Sequence, residues 1–211
     1  MAPETQASGP VMQLLASGLQ LWVRQQCQSV ESLDIELLGS ALGLLRGRLD
    51  GVQLLARRAV YQHLPIEQVQ LASDAIRVQM GLLLKGKPLQ LEQPFVITGQ
   101  LSLSGEGLGA LFSDPHWHGL AEELRETLFG SLGLGNLRIE GEQLVFVLRA
   151  GAAAPPIELR VQARAAAGTV ELFSPAGETL VRLPMDANIT IERAWIEAGM
   201  LQLSGRARVS P

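Results

Sequence analysis

The chain has 211 residues and a net charge of −4, with 47% hydrophobic, 4% aromatic and 18% charged residues. An acidic balance argues against a nucleic-acid partner, which needs a basic footprint to neutralise phosphates, and a single cysteine, Cys27, excludes an internal disulfide. The length suits one sizeable core, and a charged fraction below the roughly 25% of ordinary domains leaves an aliphatic excess to be buried.

Residues 1–10 read as a disordered tail, and residues 11–211 as a single domain. The tail lacks the basic and apolar regions of a signal peptide, and no later apolar run reaches the ~18 residues that span a bilayer. The expectation is a cytoplasmic protein, at most peripheral to a membrane.

Val11, Leu14, Leu15, Leu19, Trp22 and Val23 fall on one stripe of a helix running to about Gln28, opposite Gln13, Ser17, Gln20 and Arg24. Such a stripe needs an apolar partner: its own sheet, a second copy in a homodimer, or a membrane interface. Arg24 is the lone basic residue of the polar face, whereas interfacial helices carry several, which favours packing within the protein or a dimer.

Alternation over residues 30–38 predicts a half-buried strand, with Leu33, Ile35 and Leu37 on its dry side. Residues 40–45 fit a helical turn or a loop. A further strand spans residues 49–61, and Leu64-Pro65 is expected to end it. From Ile66 the apolar phase is held by Val69 and Leu71 and then reverses at Ile76 and Val78, which predicts a bulge near Ser73-Asp74. After the KGKP turn at residues 85–88, Pro94 opens a strand in which Phe95, Ile97, Leu101 and Leu103 alternate with more polar positions.

Residues 104–109 (SGEGLG) read as a glycine-rich corner, because they match neither phosphate-binding glycine motif. Asp114-Pro115 signals a helix start, continued by Trp117, Leu120, Leu124 and Leu128 and stopped by the glycines of 130–135. Short strands follow to the end, with dry faces such as Ile157, Leu159, Val161 and Leu201, Leu203. The predicted class is α+β, a long curved antiparallel sheet wrapped around or against one or two helices. Two helices cannot cover roughly ten strands, so the sheet is expected to leave an apolar lumen or groove, or a surface for a partner.

Asp114, His116 and His118 raise the question of a metal. At i and i+2 on a helix the two histidines diverge, so a site would require a loop geometry and a third ligand such as His63. A helix start with exposed histidines is the favoured reading, and no metal or cofactor is expected. Neither GxSxG nor HExxH occurs, and no catalytic residues are assigned.

Several segments between residues 29 and 128 resemble the LmeA-like family of phospholipid-binding proteins: SVESLDI at 29–35, LRGRLDGV at 45–52, ARRAVYQHL at 56–64, AIRV at 75–78, LKGKPLQL at 84–91 and ITGQLSL at 97–103. The family's Asp-Leu-Asn after the last of these is only partly kept, by Glu106 and Leu108, with Gly109 in place of the Asn. The resemblance implies a tubular lipid-binding architecture, with a curved sheet round a helix and an apolar lumen for acyl chains. The lumen candidates are Phe95, Ile97, Leu101, Leu103, Ile157, Leu159, Val161, Leu201 and Leu203. Arg46, Arg48, Arg57, Arg58, Lys85 and Lys87 are the candidates for a basic mouth that holds a phosphate head group. Their alternative reading is a solvated sheet face plus a turn. The expected function is binding, with or without carriage, of a phospholipid or similar amphiphile without chemical turnover. The alternative is a scaffold whose apolar sheet face is covered by a second protomer or another protein.

Overall fold

The computed structural model describes residues 10–79, 90–151 and 153–211. Helix α1 (Pro10–Gln26) runs directly into β1 (Cys27–Leu38). Then come α2 (Ala41–Leu45), β2 (Arg48–Leu49), β3 (Gly51–Tyr61), β4 (Leu64–Ser73), β5 (Ile76–Arg77) and β6 (Phe95–Ser104). A helical segment follows, made of α3 (Gly105–Leu111), a 3-10 turn (Pro115–Trp117), α4 (His118–Leu124) and a π turn (Arg125–Phe129). The remaining strands are β7 (Gly133–Glu140), β8 (Gln143–Arg149), β9 (Ile157–Ala166), β10 (Thr169–Phe173), β11 (Thr179–Arg182), β12 (Ile189–Glu197) and β13 (Met200–Val209).

The fold is α+β and antiparallel, and the strands divide between two open sheets. The first has six strands in the order β1-β3-β4-β6-β13-β12, and the second has five in the order β11-β10-β9-β8-β7. β2 and β5 form a separate two-stranded ribbon.

Directly paired residues share a face, so the register sorts the six-stranded sheet into a dry side and a wet side. Leu33↔Ala56, Ala56↔Val69, Val69↔Leu101 and Leu101↔Leu203 form one dry row. Leu103↔Leu201 continues the dry side one pair along, and both residues are buried. At the Glu31–Arg58 position the alternation slips. Arg58 takes the left-handed φ of 45° and forms an ion pair with Glu31, and the inward positions pass from Ala56 to Ala59. That slip lets one long strand serve two differently directed parts of the sheet.

The second sheet covers the dry side at its β12–β13 end, while α1 lies against the β1–β3 end through Val23. One core cluster joins Leu144, Phe146 and Leu148 of β8, Val161 of β9 and Val170 and Leu172 of β10 to Ile191, Ala194, Ile196 and Leu203 of the first sheet. Phe112, Phe129 and Phe146 meet within it, with ring centroids 5.2–6.1 Å apart. The edges are stitched where the Ile191 N–H donates to the Gly168 carbonyl at 2.8 Å. On the outer side of the second sheet, Glu171 is 4% exposed. Arg182 holds its carboxyl below the usual range against the opposing effect of burial, and Arg164 assists.

Several expectations are revised. Pro65 does not end a strand; it lies in β4 opposite Val60. No bulge forms at Ser73-Asp74, because β4 stops there and β5 leaves the large sheet to pair with β2. The SGEGLG run is the first turn of α3, not a corner: Ser104 Oγ caps it by accepting the Gly107 N–H at 3.2 Å. Glycine is needed there, since a Cβ on Gly105 would stand 3.0 Å from the Arg138 Cα. The helix start at Asp114-Pro115 holds, with Asp114 accepting the His116 N–H at 2.8 Å, but the helix continues as three irregular pieces.

Two substitutions test this packing. Phe146→Ala empties a site that is 2% exposed and is expected to lower unfolding stability by ~3–5 kcal/mol in chemical denaturation. Gly205→Ala drives a Cβ to 2.3 Å from the Thr190 carbonyl oxygen, whereas on Gly99 a Cβ meets the mobile end of Leu71 and comes no nearer than 3.1 Å to backbone, at the Gln70 carbonyl. The first is therefore expected to lower the thermal midpoint more than the second.

Candidate functional site

The lumen candidates fall into two groups. Leu101, Leu103, Leu201 and Leu203 lie side by side on β6 and β13, and Leu159 and Val161 of β9 reach the same continuous core from the other sheet. Phe95 and Ile97 stand six or more positions along β6 from Leu103, about 20 Å away at strand rise. Ile157 begins β9 and is 52% exposed.

A cavity of about 90 Å³ lies under the helical segment, lined by Leu108, Leu111, Phe112, Trp117, Leu120, Ala121 and Leu124. Its other wall is Leu137, Leu144, Phe146, Val170, Leu172, Leu183 and Leu201, so both sheets contribute. No charged side chain is among the lining residues. Of the lumen candidates, only Leu201 is one of them. Helical spacing marks Trp117, Leu120 and Leu124 in the sequence as one buried face. What it does not show is that this face stops short of the sheets and leaves a gap.

The 3-10 turn at the start of this segment is fastened to the β3–β4 turn. Gln62 and His63 take left-handed φ values of 47° and 62°. From there the Gln62 carbonyl accepts the Trp117 indole N–H at 3.1 Å, and His63 Nδ1 lies 3.0 Å from Asp114 Oδ2. The His63 ring stacks on His116, with centroids 5.2 Å apart and planes 13° from parallel. His63 thus joins Asp114 and His116, as a third ligand would have to. The three do not make a metal cluster, and no group of three or more ligating side chains occurs among the described residues. The His116 N–H, with His63 beside it, holds the Asp114 carboxyl below the usual aspartate range.

The four basic candidates among the described residues lie toward the two ends of β3. Arg46 caps α2 and Arg48 lies on β2 opposite Arg77, both next to the start of β3. Arg57 and Arg58 stand toward the other end of β3, the end that leads to the Gln62–His63 turn, and Arg58 is occupied by Glu31. Lys85 and Lys87 lie outside the described residues.

A larger concavity, about 820 Å³, crosses the six-stranded sheet. Its lining is mixed: by register Asp34, Glu36, Gln53, Leu55, Gln70, Ala72, Thr98, Gln100 and Ser204 belong to the wet side, Ile35, Leu54, Leu71 and Gly99 belong to the dry side, and Gln20 comes from α1. Size favours this trough, but amides, hydroxyls and the carboxylates of Asp34 and Glu36 stand among its aliphatic side chains, and carboxylates repel phosphate. The small cavity is the one of the two with an uninterrupted apolar lining.

A family model described as LmeA-like phospholipid-binding matches residues 7–206. No curated protein and no solved structure matches the chain. No helix among the described residues is long and apolar enough to cross a membrane.

Because the Asp114 carboxyl titrates lower folded than unfolded, its contribution to stability is present above the ordinary aspartate range and is lost as pH falls through the folded value. Thermal unfolding followed by circular dichroism is expected to place Asp114→Ala below the wild type at neutral pH. The two midpoints should converge in acid.

Proposed function

The chain belongs to the LmeA-like phospholipid-binding family, and from that premise we propose that it binds a phospholipid without chemical turnover, seating acyl carbon between the helical segment 105–129 and the two sheets. The observation that carries this reading is the wholly hydrophobic lining of the cavity there. As it stands the cavity is smaller than the roughly 300–1,000 Å³ of ordinary ligand sites, so the lipid enters by displacing the cover.

The cover is built to move. It consists of short pieces, including a π turn at Arg125–Phe129 and a 3-10 turn at Pro115–Trp117, whose hydrogen bonding is poorer than that of one continuous helix. Each methylene brought in from water contributes ~0.8 kcal/mol, so a few turns of acyl chain offset the loss of contacts beneath α4. Leu103, Leu159, Val161, Leu201 and Leu203 form the apolar bed over which the space would widen. The head group stays outside, where Arg57 is the exposed guanidinium on the end of β3 that leads to the Trp117 contact. Carriage between membranes follows if the cover opens at a bilayer.

The scaffold alternative drew its force from a sheet face left without cover. The second sheet covers that face at β12 and β13, which leaves less of it for a partner protein and weighs against the alternative.

Native mass spectrometry with lipid extraction, on protein purified without detergent, tests the reading. A co-purified phospholipid is expected on the wild type. Ala121→Phe, which fills the cavity from a position 4% exposed, is expected to cut the bound lipid severalfold while the far-ultraviolet circular dichroism is kept. A folded variant that keeps its full lipid load would remove this cavity from consideration.

A further inference from the structure

Helix α1 carries apolar side chains on two sides. At ~100° per residue, Met12, Leu19 and Val23 project to one side, Leu14, Leu21 and Trp22 to another, and Gln13, Ser17, Gln20 and Arg24 to a third. The first set is packed: Met12 is 3% exposed, and Val23 lies against the cluster of Leu33, Ala56 and Ala59. The second set is bare, with Leu14 74%, Leu21 60% and Trp22 57% exposed. Gly18, in the middle of that outer side, has open space where a Cβ would be. A helix that packs on one sheet needs a single apolar stripe. The outer side of α1 is a second stripe, with no partner among the described residues.

We propose that this outer side docks on a phospholipid bilayer, with α1 lying in the plane of the interface and held by apolar insertion instead of charge. Three observations select a bilayer as the occupant. Tryptophan beside leucines is the composition that settles at the boundary between head groups and acyl chains. Residues 10–26 include no acidic residue to oppose a phosphate surface and only Arg24 to attract one, and the rest of the polar side is glutamine and serine. Interfacial helices that lack electrostatic attraction depend on buried apolar area and on curvature. Finally, three or four exposed side chains offer on the order of 400 Å², about half of the roughly 800 Å² per partner that a stable protein interface buries.

The helix is already positioned for this. It is fastened to the edge strand β1, where Gln20 donates its side-chain amide to the Leu33 carbonyl, so docking needs no rearrangement of the core. The inference rests on the phospholipid-binding reading, since a protein that takes lipid from a bilayer has to meet one.

Flotation of the whole protein with phosphatidylcholine vesicles, small sonicated and large extruded, at low and high salt, tests it. The wild type is expected to float with both, more with the small vesicles, and equally at either salt. The combined variant Leu14→Gln, Leu21→Gln, Trp22→Gln, with unchanged circular dichroism, is expected to lose vesicle binding by about tenfold or more. A variant that floats as well as the wild type overturns the proposal, as does a wild type that fails to float or is stripped by salt. So does a wild-type dimer in analytical ultracentrifugation that the substitutions dissociate, because a second copy then covers the face. Lipid extraction on both proteins separates this from the cavity reading: flotation without any co-purified lipid upholds the docking helix and sinks the cavity, while lipid without flotation does the reverse.

Discussion

The dry side of the six-stranded sheet has to be hidden, and the way it is hidden governs everything else in the molecule. An antiparallel sheet that is wet on one side and apolar on the other is stable only against a second apolar layer. Here that layer is another sheet at the β12–β13 end and helix α1 at the β1–β3 end. Phe146, Val161 and Val170 are buried on the far side of a core shared with Ile191, Ala194 and Leu203. Within the first sheet, Gly205 of β13 lies against the Thr190 carbonyl of its neighbour β12, beside a register shift between Ile191 and Arg193, where no Cβ fits.

Residues 105–129 lie against both sheets, with Leu108, Phe112 and Phe129 in the core they share. α3 sits tight because Gly105 and Gly107 allow backbone contact with Arg138 and Pro65. α4 and the turns around it sit looser, and the apolar cavity lies beneath them. The clasp of Gln62, His63, Asp114 and Trp117 ties the start of this looser part to the β3–β4 turn. One segment therefore completes the core and roofs a hydrophobic space, on which the lipid-binding proposal rests. The larger trough mixes amides and carboxylates with Ile35, Leu54 and Leu71, so its lining is less uniformly apolar than that of the cavity.

The two sides of α1 follow the same logic of apolar surface and its cover. Its inner side is satisfied by Leu33, Ala56 and Ala59 of the sheet, and its outer side has nothing comparable. Read as a single stripe, the six residues from Val11 to Val23 suggest one partner. The orientation on β1 divides them, because Gln20 faces the strand and turns Leu14 and Trp22 away from it.

Local pattern decided much of this. Alternation in residues 30–38, 95–103 and 201–209 marks strands with a dry side, because side chains alternate on any strand whatever it packs against. Asp114-Pro115 marks a helix start because the cap is made within three residues. The family was also legible, since its motifs are short and contiguous. What sequence could not supply were the relations between distant segments. That the sheet divides in two and covers itself depends on which strands pair, and β13 joins β6 across about a hundred residues. Whether Arg46 and Arg58 share a mouth depends on the length of β3, which keeps them apart, and no composition records that distance. The lumen residues were read from alternation alone, so core and cavity looked the same. Only packing decides where apolar side chains meet and where they leave a space, because that depends on the shapes of both walls and not on the residues of either one.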